Sequence, residues 1–200
     1  MRRGRVARLA AAAALGAVLA APAPAAAFEW STVRGHFGLG LAQLVSPPDA
    51  PGGSLTVSGG LDVPVASGWR AGVAIGYHLL GSETARSGSG TGSLVANLDY
   101  NGFETMALAH WEPRGLGPLA RLSLGAGIFN GHVEISATGG GGAAFRDRAR
   151  SDTAPALGLD ATLMRGRGAP VRVGLELSVR TAFFDEDPWT LGAARVVFHY

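Results

Sequence analysis

Eight stretches of the chain alternate between apolar residues and polar or small residues, and this alternation restricts the fold more than any other feature. The stretches run approximately over residues 31–44, 54–66, 69–80, 93–112, 119–135, 156–164, 171–183 and 189–200. Because successive side chains of a β-strand point to opposite faces, each stretch predicts a strand with one apolar face. No stretch after residue 28 has the roughly 20 consecutive apolar residues that a membrane-spanning helix needs. We therefore predict an all-β chain.

The connections between these stretches alternate in length. A Pro- and Gly-rich break follows the first stretch, only Ser67 and Gly68 separate the second from the third, and the connections at 81–92 and 136–155 are long. Transmembrane barrels combine short turns at one end with longer loops at the other, an even number of strands, and apolar-out, polar-in alternation. The sequence therefore predicts an eight-stranded antiparallel up-and-down transmembrane β-barrel over residues 28–200.

Residues 1–27 have the organisation of a secretory signal peptide. The first eight residues are basic, residues 9–21 are apolar, and Ala25 and Ala27 satisfy the small-residue rule for cleavage before Phe28. The apolar run is shorter than a membrane-spanning helix, and an uncleaved membrane anchor is the alternative. We expect export and removal of residues 1–27.

Composition excludes several classes of site. The chain has no Cys, which excludes disulfides, thiolate metal sites and cysteine nucleophiles. Four of its 17 basic residues lie in the predicted signal peptide, so that 13 remain against 15 acidic residues. The resulting net charge of about −2 gives no reason to expect nucleic-acid binding.

The last stretch, 189–200, ends the chain on an aromatic residue. Val196, Phe198 and Tyr200 share its apolar face, whereas Arg195 lies on the other face. A final strand of a soluble β-sandwich has the same alternation, so this stretch alone does not decide between the two folds.

The alternating stretches together, the segment RLSLGAGIF (residues 121–129) and the ending VVFHY (residues 196–200) resemble the small eight-stranded outer-membrane proteins of the OmpA, OmpX and OmpW type. The resemblance implies a monomer in the cell outer membrane, in contact with outer-membrane lipid and lipopolysaccharide. It implies that the barrel-assembly machinery recognises Val196, Phe198 and Tyr200 as an assembly signal. It also implies a structural or surface-interaction role, and its OmpW-like members allow a narrow channel for small or apolar solutes as the alternative.

Ten charged residues fall on the polar faces of the predicted strands and are expected to face the barrel interior. They are Arg34, Asp62, Arg70, Asp99, Arg121, Asp160, Arg172, Glu176, Arg180 and Arg195. Arg facing lipid near the midplane costs about 2–4 kcal/mol, and the interior of an eight-stranded barrel is just wide enough for side chains to fill it. We expect a paired structural plug, with a selectivity ring along a narrow solute path as the alternative. Replacement of Arg34, Arg70 or Arg180 by Leu is then expected to destabilise the barrel.

The stretch 93–112 fits this scheme least well. The residues that set its parity, and are expected to face lipid, are Leu94, Ala96, Leu98, Tyr100, Met106 and Leu108. This parity places Asp99 in the interior. Glu104 then falls on the lipid face, where a charge is unfavourable. A β-bulge near residues 101–102 would shift the register.

Aromatic residues predict two belts at the membrane interfaces. Trp69 and Trp111 fall at one end of their strands, together with the aromatic residues of the last stretch, and Tyr77 and Phe183 fall toward the other end. Trp111 has the wrong parity for the lipid face unless its strand is bulged.

The histidines give no sign of a catalytic or metal site. They are His36, His78, His110, His132 and His199. No two of them have the close spacing of metal ligands, and none is followed two residues later by Ser, whereas barrel-shaped lipid A deacylases carry a His-x-Ser pair. The GxG spacings at 38–40 and 125–127 do not open a helix after a strand, as a dinucleotide site requires. We expect no metal, no cofactor and no catalytic activity, and a lipid A-modifying enzyme is the least favoured alternative.

Two charged segments in the predicted loops are candidates for surface contacts. They comprise Arg146, Asp147, Arg148, Arg150 and Asp152 in one loop and Asp185, Glu186 and Asp187 in the other. Arg side chains suit lipopolysaccharide phosphates, and carboxylates suit divalent cations. Solvated loops of mixed charge are the alternative.

Overall fold

In the part of the chain that the structure describes, eight β-strands form the fold, numbered here in chain order. They are β1 (Arg34–Ser46), β2 (Ser54–Ala66), β3 (Trp69–Ser87), β4 (Leu94–Trp111), β5 (Leu119–Gly139), β6 (Ala144–Met164), β7 (Arg172–Ala182) and β8 (Trp189–His199). This computed structural model describes residues 32–46, 52–88, 94–113, 116, 118–139, 144–164 and 170–200, with side chains for all of these except 139 and 144–148. The predicted signal peptide, residues 1–27, lies outside the described residues. In the described ranges, no helix is long and apolar enough to cross a membrane.

The strands form one closed antiparallel barrel in up-and-down order. Each strand pairs with its neighbours along the chain, and β8 pairs with β1 to complete the ring. The backbones of Gly35 and Tyr200 exchange hydrogen bonds of 2.9 and 3.0 Å, so the last residue also belongs to this seam. Closure removes the unpaired strand edges of an open sheet. The end of the barrel that holds Arg34 and Tyr200 is called the terminal end below, and the opposite end is called the loop end.

The outward face of the barrel is an apolar wall. Its exposed members include Phe37, Leu39, Leu61, Val73, Ile75, Leu124, Leu159, Leu177 and Val179. Soluble monomers rarely expose continuous apolar patches larger than a few hundred Å², whereas lipid chains solvate such a wall. The predicted apolar-out, polar-in alternation is confirmed for seven of the eight strands.

Aromatic side chains flank this wall at two heights. Trp69 and Trp111 lie directly opposite each other in the β3–β4 ladder near the terminal end, and Tyr77 and Phe103 form a second exposed pair nearer the loop end. The segment from Trp69 to Tyr77 has nine residues with both ends included, in line with the 9–11 residues of a membrane-spanning strand. Phe183, which was predicted at the second height, lies just beyond β7 and is half-buried.

The predicted faces of β4 are wrong. Met106 and Leu108, which were expected to face lipid, are 1% and 2% exposed inside the barrel, on the same face as Glu104. Asp99 therefore lies on the outward parity, is exposed, and does not reach the interior. The apolar side chains fit because β5 presents glycine beside them: a Cβ added to Gly125 would lie 2.5 Å from Cδ2 of Leu108.

The bulge that was predicted near residues 101–102 of β4 lies across the ladder, on β3. The β3–β4 register shifts between Leu79 and Gly81, which leaves Leu80 as the extra residue. Gly81 has a φ of 90°, a conformation that glycine adopts without steric cost. Trp111 reaches the lipid face without any irregularity in β4, because that face was misassigned.

At the loop end, two hairpins continue as paired ladders beyond the apolar wall. β3 extends to Ser87 and β6 begins at Ala144, so most of the connections predicted at 81–92 and 136–155 are strand. The β4–β5 ladder runs through residues 132–135 without a shift. The apolar–polar alternation of the sequence changes at these residues because the strand there has left the apolar wall and has water on both faces.

Candidate functional site

Among the residues whose side chains are described, eight charged ones are buried in the barrel interior, four of each sign. They are Asp62, Arg70, Glu104, Arg121, Asp160, Glu176, Arg180 and Arg195. Seven of them belong to the predicted network, and Glu104 was missed because the faces of β4 were inverted. Of the other predicted members, Arg34 and Arg172 are partly exposed near the terminal end, and the assignment of Asp99 to the interior was wrong.

Asp62 on β2 joins two arginines near the terminal end. It forms an ion pair with Arg70 on the neighbouring strand, and its Oδ2 lies 3.0 Å from Nη1 of Arg121 on β5. Arg121 and Arg34 both reach Glu112, which follows β4, at 3.1 and 3.2 Å. These five side chains link four strands and the end of β4 into one chain of alternating charge.

Arg180 on β7 binds two buried carboxylates. Its Nη1 and Nη2 donate to Asp160 on β6 at 2.5 and 3.1 Å, and its Nε donates to Glu104 on β4 at 3.1 Å. His78 on β3 extends this group, because its Nε2 lies 3.7 Å from Glu104 and its Nδ1 lies 2.9 Å from the hydroxyl of Thr56. The guanidinium therefore donates hydrogen bonds from Nε, Nη1 and Nη2 to carboxylates, and hydrogen bonds between charged groups are strong.

A third group occupies the ladder between β7 and β8. Arg195 donates through Nε to Glu176 at 3.1 Å and through Nη2 to the hydroxyl of Ser178 at 2.9 Å. Thr162 on β6 donates to the second oxygen of Glu176 at 3.4 Å. All four side chains come from three adjacent strands, so this group lines one wall.

Two of the buried ion pairs cross the lumen. Arg121 and Asp62 join β5 to β2, and Arg180 and Glu104 join β7 to β4. In an eight-stranded ring, strands three places apart stand on facing walls. The crossing side chains therefore occupy the barrel axis, and a third pair spans the rim between β1 and the end of β4.

Inward glycines provide the space for these large side chains. A Cβ added to Gly158 would lie 2.7 Å from Cδ of Arg180, and one added to Gly76 would lie 2.9 Å from Cγ of Glu104. Both distances are shorter than van der Waals contact. The Gly-rich inward faces are thus complementary to the charged residues of the neighbouring strands.

Three histidines pack together in the lumen, on the loop side of the Asp62–Arg121 pair and on the terminal side of Glu104. The ring of His36 stacks on His199 at 5.5 Å between centroids and meets His110 edge-on at 6.5 Å. His110 Nδ1 lies 2.7 Å from the hydroxyl of Ser123. Among the residues with described positions, no group of three His, Cys, Asp or Glu side chains is arranged to hold a metal ion. The cluster fills the lumen between the two crossing ion pairs with packed rings.

A further His–Ser pair lies on the outside of the barrel at the loop end. His132 Nδ1 is 2.7 Å from the hydroxyl of Ser151, directly opposite on β6. A sequence search for both residues on one strand does not find this pair. The same cross-strand arrangement occurs inside the barrel between His110 and Ser123, so it recurs in the sheet and does not by itself assign a nucleophile.

An apolar cluster closes the lumen above the ion pairs. Its buried members on this side include Leu44, Leu80, Phe129 and Leu191, and Met106 continues it on the terminal side of Glu104. The ring of Phe129 contacts Phe184 at 6.3 Å and Trp189 at 6.4 Å between centroids. Because Phe129 belongs to β5 and Trp189 to β8, this contact also reaches across the axis.

The charged surface candidates converge at the mouth above this cluster. Arg150 and Glu186 form an exposed ion pair of 3.1 Å. Asp152 and Asp187 lie beside them, and all four line a cavity of about 190 Å³. The side chains of residues 146–148 lie outside the described residues.

Solved structures of other proteins align with this chain over most of its length. Neisserial surface protein A superposes with a TM-score of 0.52 at 12% identity, over 84% of this chain and 96% of that chain. The attachment invasion locus protein Ail of Yersinia pestis, in complex with the heparin analogue sucrose octasulfate, gives a TM-score of 0.50 at 10% identity, over 84% and 97%. The N-terminal β-barrel domain of Pseudomonas aeruginosa OprF gives 0.48 at 12% identity, over 84% and 98%.

The chain has the fold of the small eight-stranded outer-membrane β-barrels. The fold class and the resemblance predicted from the sequence are confirmed. At identities of 10–12% the likeness bears on the fold alone. No protein-family model and no curated protein sequence matches the chain.

Proposed function

We propose that this protein is a closed, non-conducting barrel of the bacterial outer membrane with a structural or surface-interaction role and no catalytic activity. The ion pairs that cross the lumen carry this proposal. Arg121 with Asp62 and Arg180 with Glu104 block the axis at two positions. A solute path would have to break them, and removing the partner of a buried charge costs about 3–5 kcal/mol. A structural plug is therefore favoured over a narrow channel.

Bilayer recordings test the plug directly. The purified barrel in a planar bilayer is expected to show no unitary conductance steps at either polarity, because charged side chains fill its axis. The variant Asp62→Asn serves as the matched control, since it weakens one crossing pair with almost no change in volume. Conductance steps in the wild-type protein, with a size or ion selectivity that changes in Asp62→Asn, would contradict the plug and indicate a channel.

The proposed location rests on the apolar wall, whose size suits lipid chains rather than water. Outer-membrane lipid is then the partner of the wall between the two aromatic pairs, and lipopolysaccharide is the partner of the loop end. On the last strand, Val196, Phe198 and Tyr200 point outward and are exposed. We propose that the barrel-assembly machinery reads these three side chains.

The double variant Phe198→Ser, Tyr200→Ser is expected to reduce the folded protein in the outer membrane severalfold. Its backbone hydrogen bonds remain available, but its aromatic signal is lost. Gel mobility of isolated outer membranes, with and without boiling, measures the folded fraction as a band that shifts on heating.

The matched control is Val173→Ser, Leu175→Ser, which removes outward apolar side chains beside Phe198 and Val196 on β7. An equal loss of folded protein in both variants would show that the terminal aromatics act only as lipid contacts. Recovery of the wild-type protein in the soluble fraction without a mobility shift would contradict the membrane location.

A further inference from the structure

The cavity at the loop-end mouth combines an aromatic floor with acidic walls. It lies between the inner face of the β5–β6 extension and the β7–β8 connection, outside the ion-paired lumen. Its volume is about 190 Å³, which equals roughly six water molecules at 30 Å³ each. The mouths of β-barrels are common places for small-molecule sites. The cavity therefore suits a small organic group rather than an extended chain.

The floor consists of the rings of Phe184 and Trp189, with centroids 4.9 Å apart. Phe129 lies beneath both rings, and Tyr100 contacts Trp189 at 6.0 Å, so the floor is held from below. Gly131 provides the room for it, because an added Cβ would lie 2.9 Å from Phe184 and 3.0 Å from Trp189. A fixed Trp with one side toward an open cavity is the strongest aromatic partner for a cation.

The walls carry three carboxylates and one guanidinium, from Asp152, Glu186, Asp187 and Arg150. The single guanidinium is paired with Glu186 at 3.1 Å. The hydrogen bond to that carboxylate raises the pKa of Arg150 above its ordinary value, so the guanidinium stays charged. The remaining two carboxylates leave the walls with a net negative charge, which disfavours phosphate or sulfate groups.

We propose that this mouth pocket binds an organic ammonium group, with a quaternary ammonium such as that of choline as its best fit. Trp189 would contact the methylated cation through its π face, and Asp152 and Asp187 would supply the opposite charge. Aromatic rings combined with negative charge recognise quaternary ammonium ions in this way. The same chemistry occurs in free choline and in the headgroup of phosphatidylcholine on an apposed membrane.

The test compares choline with 3,3-dimethylbutan-1-ol, in which a neutral carbon replaces the nitrogen. Titrations use the folded barrel in a nonionic detergent, with methyl-proton NMR as the readout, and the heat-dependent gel shift verifies folding for every sample. Choline is expected to bind at least tenfold more tightly than its neutral analogue. Equal binding of the two ligands, or no binding of choline to folded barrel, would overturn the proposal without bearing on the barrel itself.

Two variants locate the binding. Asp152→Asn, Asp187→Asn keeps the shape of the pocket and is expected to weaken choline binding about tenfold. Trp189→Leu is expected to abolish measurable binding, whereas Trp69→Leu at the opposite end is expected to leave it unchanged. Retention of wild-type affinity in the folded Asn variant would contradict the proposal.

Vesicle flotation distinguishes the two sources of the ligand. The barrel is placed in nanodiscs without choline lipids and mixed with phosphatidylcholine or phosphatidylglycerol vesicles. If the nanodiscs bind only phosphatidylcholine vesicles, and the Asn variant does not, the ligand is the lipid headgroup of an apposed membrane. Choline binding without recruitment would assign a soluble ammonium ligand.

Discussion

Replacing Arg180 with methionine is expected to lower the free energy of unfolding of the barrel by about 3–5 kcal/mol. Arg180 is 4% exposed and forms ion pairs with both Asp160 and Glu104. Without it, Asp160 and Glu104 lose the guanidinium that pairs with both of them, and an unpaired buried charge is strongly unfavourable. Urea unfolding in detergent micelles, followed by tryptophan fluorescence, measures the change.

Two further variants separate charge from volume. Adding Glu104→Gln and Asp160→Asn to Arg180→Met removes the stranded charges, so most of the lost stability is expected to return. Arg34→Met is the matched control, because the Arg34 side chain is 41% exposed at the rim and an exposed pair contributes about 1 kcal/mol or less. A loss in Arg180→Met no larger than that in Arg34→Met would contradict the buried-pair argument.

The sequence alone predicts most of the barrel because a lipid-facing wall requires strict alternation. Leu39, Val73, Leu159 and Val179 all fall on the face that their parity indicates. Where the strands leave the wall, water reaches both faces and the alternation disappears. The ladders up to Ser87 and from Ala144 were therefore predicted as loops.

β4 shows which evidence should decide when two rules conflict. Met106 and Leu108 are apolar, but the interior also accepts apolar side chains beside glycine, so they do not fix the face. Glu104 does fix it, because a charge facing lipid costs several kcal/mol. Giving the single charge more weight than the apolar residues that share its parity would have oriented β4 correctly and excluded Asp99 from the interior.

The partners within the interior could not be predicted from parity. Arg121 pairs with Asp62 and Arg180 with Glu104 because the stagger of the strands brings these levels together across the axis. Parity states only that a side chain points inward. The mouth pocket could not be predicted for the same reason. Asp152 and Asp187 lie far apart in the sequence, and the β5–β6 extension brings them to one cavity.

Replacing Gly40 with valine is expected to prevent closure of the barrel or to lower its free energy of unfolding by about 3 kcal/mol or more. A Cβ at Gly40 would lie 2.0 Å from the carbonyl oxygen of Ala194 and 2.6 Å from Cα of Arg195. These are backbone atoms of β8, which cannot rotate away as the end of a side chain does. β1 would have to separate from β8, and unpaired backbone groups in lipid cost several kcal/mol each.

Refolding yield and urea unfolding, with the heat-dependent gel shift as the indicator of closure, measure this effect. Gly52→Val is the matched control, because an added Cβ there meets no atom within 4 Å, and its stability is expected to stay within about 0.5 kcal/mol of wild type. Gly40→Ala already adds the clashing Cβ and is expected to show a smaller loss than valine in the same direction. If Gly40→Val were as stable as the wild type, the β1–β8 seam would have room for a side chain. The close approach of the two backbones at Gly40 would then not be required for closing the ring.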